Sequence, residues 1–122
     1  MIELLDDMPP GVAGIRVSGR ISRDDLKAFK PTMDELMDTD EIRFVEVISS
    51  DYAGFGPGGL LEDMKMGWGS LLAHRRAFKR VAVVTDKEWI AQMLHLLVWM
   101  VPGETALFGL DELDRAKEWA AG

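Results

Sequence analysis

The chain is expected to fold as an α/β domain: a mixed, mostly parallel five-stranded sheet with one antiparallel edge and four helices, in the order β-β-α-β-α-β-α-β-α. Three observations predict it. Strand-like runs alternate with segments of helical apolar spacing, the pattern of a largely parallel sheet flanked by helices. Val81–Thr85 is a continuous apolar run, the mark of a strand covered on both faces. The first two runs are parted only by a Pro-Pro-Gly turn, which closes a hairpin at one edge.

Element by element, Ile2–Leu5 reads as a first strand, and Asp6–Gly11, with Pro9 and Pro10, as a turn. Val12–Gly19 alternates loosely and forms the second strand. Ser22-Arg23-Asp24-Asp25 resembles a capping box. Apolar residues then fall at Leu26, Phe29, Met33, Leu36 and Met37, one face of a helix. Pro31 should bend that helix, because it removes an amide donor. Phe44–Ile48 reads as the third strand, and Ser49–Gly59, with four glycines and one proline, as a loop. A helix is expected from about Gly58 to His74, with Leu60, Leu61, Met64, Trp68, Leu71 and Leu72 on one side. Gly67 and Gly69 weaken it by about 1 kcal/mol each relative to Ala. After Val81–Thr85, Asp86 is placed to cap a helix over Lys87–Met100, ended by Pro102-Gly103. Thr105–Phe108 is the last strand and Asp111–Ala121 the last helix.

Composition narrows the function classes. The 122 residues fit one domain, expected to run from 1 to 122. The chain contains no cysteine, which removes disulfides, thiolate metal sites and Cys nucleophiles, and suits a reducing compartment. A net charge of -7 repels phosphate backbones, so no nucleic-acid partner is expected. Met1–Asp7 has neither a basic region nor a long apolar core, so no signal peptide is read there. The most apolar stretch, Trp89–Val101, has 13 residues, against the about 20 that a membrane span needs. A cytoplasmic location is the expectation.

Several segments together resemble one known family. They are Gly14-Ile15-Arg16-Val17-Ser18-Gly19-Arg20-Ile21-Ser22, Gly59-Leu60-Leu61-Glu62-Asp63-Met64-Lys65-Met66-Gly67, Phe78-Lys79-Arg80-Val81-Ala82-Val83-Val84-Thr85-Asp86-Lys87-Glu88-Trp89, and the closing Leu107-Phe108 to Ala116 and Trp119. Their ordered set resembles the SpoIIAA-like family, a branch of the STAS-type fold named for sulfate transporters and anti-sigma-factor antagonists. The resemblance implies a small binding module rather than an enzyme. Similarity within this branch to lipid-carrying domains of the CRAL-TRIO type implies an apolar groove between two mobile helices, and membrane association. The helices would be Leu60–Leu72 and Trp89–Val101. In one place the chain departs from the pattern. Anti-sigma-factor antagonists carry a phosphorylated Ser in an Asp-Ser-Ser-Gly-type motif before the helix that follows the third strand. Here Pro57-Gly58-Gly59-Leu60 stands there, and Ser49 and Ser50 lie earlier.

The residues offer three candidate sites. The first is apolar: Leu60, Met64, Trp68 and Leu72 form a row on one helix, and Trp89 and Met93 belong to a row on the next, whose second row is Ile90, Leu94, Leu97 and Val101. Trp99 falls on the polar stripe of Glu88, Gln92 and His95. Eight methionines and four tryptophans make an adaptable apolar surface of the kind that repacks around varied ligands, and the resemblance implies that the ligand is lipid-like. Burial of both helices in the core is the competing reading, as is a homodimer or partner contact. The second is basic: Arg75, Arg76 and Lys79, with Arg80, put four cations in six positions, where an anionic head group or membrane surface could be met. A solvated turn before a strand is the simpler reading. The third is Gly54–Gly59, which matches Gly-x-Gly-x-x-Gly and would place a nucleotide at a helix start. Pro57, however, offers no amide, and too few strands follow for a dinucleotide fold.

No catalytic set is expected, nor a cofactor. Asp6-Asp7, Asp24-Asp25 and Glu62-Asp63 are adjacent pairs, which diverge on a helix. His74 and His95 lack a carboxylate at ligand spacing, so no metal site is expected. No Ser-x-Gly elbow is present.

Overall fold

A computed structural model describes residues 1–56, 58–59, 62–63, 65, 69, 73–97 and 103–122, Leu97 by its backbone alone. Its strands are β1 (Ile2–Leu4), β2 (Val12–Val17), β3 (Arg20–Ile21), β4 (Ile42–Ile48), β5 (Gly54–Phe55), β6 (Phe78–Thr85) and β7 (Glu104–Phe108). The described α-helices are α1 (Arg23–Met37), α2 (Glu88–Leu97) and α3 (Leu113–Ala121), the last led in by a 3-10 turn over Leu110–Glu112. Three α-helices, against the four expected, are thus described from end to end; in the stretch expected as the fourth, the described residues Gly59, Glu62, Asp63, Lys65, Gly69, Ala73 and His74 are helical. Much of that stretch, 58–74, lies outside the described residues.

The five-stranded sheet runs β1-β2-β4-β6-β7. β1 pairs antiparallel with β2, with Ile2 opposite Val17, and the other three ladders are parallel. This is the mixed sheet with one antiparallel edge that the pattern predicts. β3, between the expected second strand and the Ser22 helix start, and β5, within the stretch expected as a loop, add a two-residue parallel ladder of their own.

Side chains alternate across the sheet, and each face has its own core. On the back, Val12, Val45, Val47, Ala82 and Val84 pack against Ala116 and Ala120 of α3. The two alanines are fully buried, so the α3 backbone lies close to the strands. On the front, Ile15, Ile42 and Phe44 pack with Met37, Phe29, Met33 and Leu36 of α1. Further along that face Ile48 and Val83 meet Ile90 of α2, with Tyr52 and Leu94 beside them. α1 and α2 thus return on one face, as right-handed crossovers advancing in a single direction along a sheet must.

Helix α1 begins as its sequence directs. The Ser22 Oγ accepts the Asp25 N–H at 3.0 Å and the Asp25 carboxylate accepts the Ser22 N–H at 3.0 Å, a complete capping box. These two bonds hold the Asp25 carboxyl below its usual range. The helix continues through Pro31 to Met37. At the start of α2 the expected cap is replaced. The Asp86 carboxylate accepts the Ser50 hydroxyl at 2.9 Å, while Thr85 Oγ1 accepts the Lys87 N–H at 3.1 Å. Asp86 ties the end of β6 to the turn after β4 instead of capping its own helix.

Candidate functional site

The apolar candidate is split by the fold. Helix α2 buries Ile90 against Ile48 and Val83 and turns its other row outward. Trp89 is 55% exposed, Met93 44% and Leu96 73%. These three lie at i, i+4 and i+7, so they line one ridge of the helix. Glu88, Gln92 and His95 are also exposed. Of the expected lining, Leu60, Met64, Trp68, Leu72 and Trp99 lie outside the described residues, so only Trp89 and Met93 are placed. Leu96 joins them; its helical spacing marked it, though it was not among the expected ligand contacts.

The basic candidate sits at the foot of the same layer. Arg75, Arg76 and Lys79 are all exposed. Among the described residues none of the three forms an ion pair. Arg80 is different: it turns to the back face and pairs with Glu104 at 3.0 Å. Helix α2 joins two parallel strands, so it runs against them, from the top of β6 back towards its start. A Cβ built on Gly103, just before β7, would lie 2.8 Å from the Lys79 carbonyl oxygen. The exposed ridge therefore descends towards the end of the sheet that carries Arg75, Arg76 and Lys79. Two shallow clefts open near that end. One, of about 240 Å³, is lined by Lys30, Met33 and Asp34 of α1 with Lys65, Gly69, Ala73 and His74. The other, of about 270 Å³, follows the turn from Ala73 to Ala77. Both are smaller than the about 300–1,000 Å³ usual for small-molecule pockets.

The glycine-rich loop has a structural explanation. Gly54 and Phe55 form β5, and the amides of Ala53, Gly56 and Gly59 are bonded to the carbonyls of Gly19, Ile21 and Gly56. Gly59 has no room for a side chain, since a Cβ would lie 2.8 Å from the Ile21 carbonyl oxygen. These three donors already have partners within the fold, which leaves them unavailable to a phosphate.

A charged cluster that sequence reading missed lies on the front of the sheet. Glu46 is in the middle of β4, opposite Ile15 on β2 and Val83 on β6. Its same-face neighbours Phe44 and Ile48 are buried, as are Ile15 and Val83. A carboxyl in this surround is pushed up to about 7, chiefly by loss of hydration and secondly by the Asp63 carboxylate. Asp63 is exposed as a residue, yet loss of hydration also raises its carboxyl. The Tyr52 phenol, in the same packed cluster as Ile48 and Val83, is raised by desolvation and then by Asp63 and Glu46. The one available signal was a lone Glu inside the apolar run Ile42–Ile48. Among the described residues no group of three potential ligands gathers as a metal site would, and no helix is long and apolar enough to cross a membrane.

An α/β sheet covered on both faces, with an antiparallel first hairpin and its terminal helix on the back, defines a fold class, and the comparisons agree. A family model described as SpoIIAA-like matches residues 12–121; the chain belongs to the SpoIIAA-like family. In three dimensions it is similar to an uncharacterized protein of the DUF3478 family, with a SpoIIAA-like fold, from Shewanella loihica PV-4. The TM-score is 0.76 at 21% identity, covering 98% of this chain and 92% of that one, a likeness of fold. No curated protein matches the chain.

Proposed function

We propose that this protein is a non-catalytic binding module that receives an apolar or lipid-like ligand along helix α2 and touches membranes peripherally. The observation that carries the reading is the ridge of Trp89, Met93 and Leu96, held in water by a helix that packs Ile90 and Leu94 on the sheet. Large apolar side chains aligned on one ridge favour a partner that removes them from water, at roughly 25 cal/mol per Å² buried. The ridge leads towards Arg75, Arg76 and Lys79, which suit an anionic head group at about 1 kcal/mol for each basic residue near such a surface.

Co-sedimentation with phosphatidylglycerol and phosphatidylcholine vesicles tests it. Binding to the anionic vesicles is expected, lost in Trp89→Ser/Met93→Ser/Leu96→Ser and weakened by salt and by Arg75→Glu/Arg76→Glu. Protein that stays in the supernatant with both lipids refutes the membrane reading. The same ridge also suits a homodimer, and sedimentation equilibrium separates the two. A mass that doubles with concentration, and reverts in the triple Ser variant, would assign the ridge to a second copy.

A further inference from the structure

The end of the sheet where β4 and β6 begin carries two charged turns of opposite sign. One leads from α1 into β4 and holds Asp38, Asp40 and Glu41, all exposed. The other runs from His74 to Ala77, where the Ala77 N–H donates to the His74 carbonyl at 2.8 Å. It holds Arg75 and Arg76, with Lys79 just inside β6, and all three are exposed. The Ile42 N–H donates to the Ala77 carbonyl at 2.7 Å, and Ile42 pairs with Phe78. The two turns therefore lie side by side on one end of the molecule.

The acidic turn goes against its own helix. Asp38 is the C-cap residue of α1, and no basic residue stands in the last turn of that helix. A carboxylate is disfavoured at the negative end of a helix dipole, and a cation beside it would offset this. The chain brings none within reach. Glu41 pairs with Arg43 at 2.6 Å, but among the described residues Asp38 and Asp40 form no ion pair, and neither do Arg75, Arg76 and Lys79. Every residue outside the described ones is uncharged. Two carboxylates without a cation thus stand beside three cations without a carboxylate.

A surface that carries minus beside plus is complementary to itself. A two-fold axis that lays the basic turn of a second copy on the acidic turn of the first returns the acidic turn of the second to the basic turn of the first. With a net charge of -7, two copies repel each other overall, and this end is where opposite charges can face. We propose that it is a self-association surface, on which two copies of the chain meet isologously, Asp38 and Asp40 of each against Arg75, Arg76 and Lys79 of the other. Each pair is exposed and contributes little alone, so the dimer is reversible. The proposal stands whether or not the α2 ridge takes a lipid.

Sedimentation equilibrium of the full chain without lipid tests it, at about 0.1 M salt, where charges more than about 10 Å apart are screened and those in contact are not. The wild-type mass should rise with concentration to twice that of the monomer. Arg75→Glu/Arg76→Glu and Asp38→Lys/Asp40→Lys should each stay monomeric, with melting curves close to the wild type because the substituted side chains are exposed. Each variant then bears nearly one sign at this end, opposite to the other's, so an equal mixture of the two should associate again as a one-to-one dimer. Trp89→Ser/Met93→Ser/Leu96→Ser should associate as the wild type does. A wild type that is monomeric at every concentration overturns the proposal. So does a dimer that survives either reversal, a mixture that stays monomeric, or a dimer lost in the triple Ser variant, which would belong to the ridge. Vesicle binding should persist in Asp38→Lys/Asp40→Lys, so failure of the lipid reading and failure of this one are seen apart.

Discussion

The Arg80 guanidinium lies 5.0 Å over the Trp119 ring and donates to the Trp119 carbonyl oxygen at 2.7 Å. One side chain thus holds both the ring and the backbone at the end of α3, where free carbonyls need partners. Arg43 repeats the device one strand over, donating to the Ala120 carbonyl at 2.8 Å. Arg80→Ala should destabilise the fold by about 2 kcal/mol, from the charged hydrogen bond and the cation–π contact. Urea unfolding measures this. Arg80→Lys should recover only part, because an ammonium lacks the planar fork. An Ala variant as stable as the wild type would show that the contact contributes nothing.

Glu46 gives the protein a pH dependence of definite sign. Its folded-state pKa is raised to about 7, from an ordinary glutamate value of 4.5, chiefly by loss of hydration. The folded state therefore binds the proton more tightly than the unfolded chain. Stability is greatest below about pH 4.5 as far as this group is concerned, and falls as pH rises towards 7. The loss at pH 8 is on the order of 3 kcal/mol. Glu46→Gln should be more stable than the wild type at pH 8 by a similar amount and indistinguishable near pH 4.5. Chemical denaturation at the two pH values checks both arms.

Gly103 precedes β7 with φ +77°, and a Cβ there would lie 2.7 Å from the Phe78 carbonyl oxygen. Gly103→Ala meets both a left-handed backbone and a backbone clash. A loss of about 2–4 kcal/mol is expected, seen as a lower urea midpoint with an unchanged slope.

The exposed ridge makes the opposite prediction. Trp89→Ser should shift stability by no more than about 0.5 kcal/mol, because that side chain is mainly in water. Ile90→Ala, one position along, should cost about 2–4 kcal/mol, because Ile90 fills the front core. Thermal melts of the two variants side by side check the inward and outward rows directly.

These residues also show what sequence could and could not reveal. The β1–β2 hairpin, the strands around Phe44–Ile48 and Val81–Thr85 and the Ser22 capping box were legible, since each depends on local alternation or a three-residue spacing. For α2 the periodicity marked two apolar rows but not which one faces the sheet, because both are apolar; contact with Ile48 and Val83 decides it. The β3–β5 ladder has two residues a side, too few to carry any period. Asp86 looked like a helix cap because the residue that claims it, Ser50, lies on another strand end. Glu46 was hidden by its surroundings. A single Glu does not spoil an apolar run as a strand, and Asp63 approaches it only through the fold.

The back of the sheet has a consequence for how this family can diversify. Ala116 and Ala120 bring α3 against the strands with two arginine side chains fastening its end, and no candidate contact lies on that side. The pleated layer acts as a bulkhead. Substitutions in α1, α2 or the segment between β5 and β6 can re-tailor what the front receives while the compartment behind, with its own core, goes on holding the strands in register.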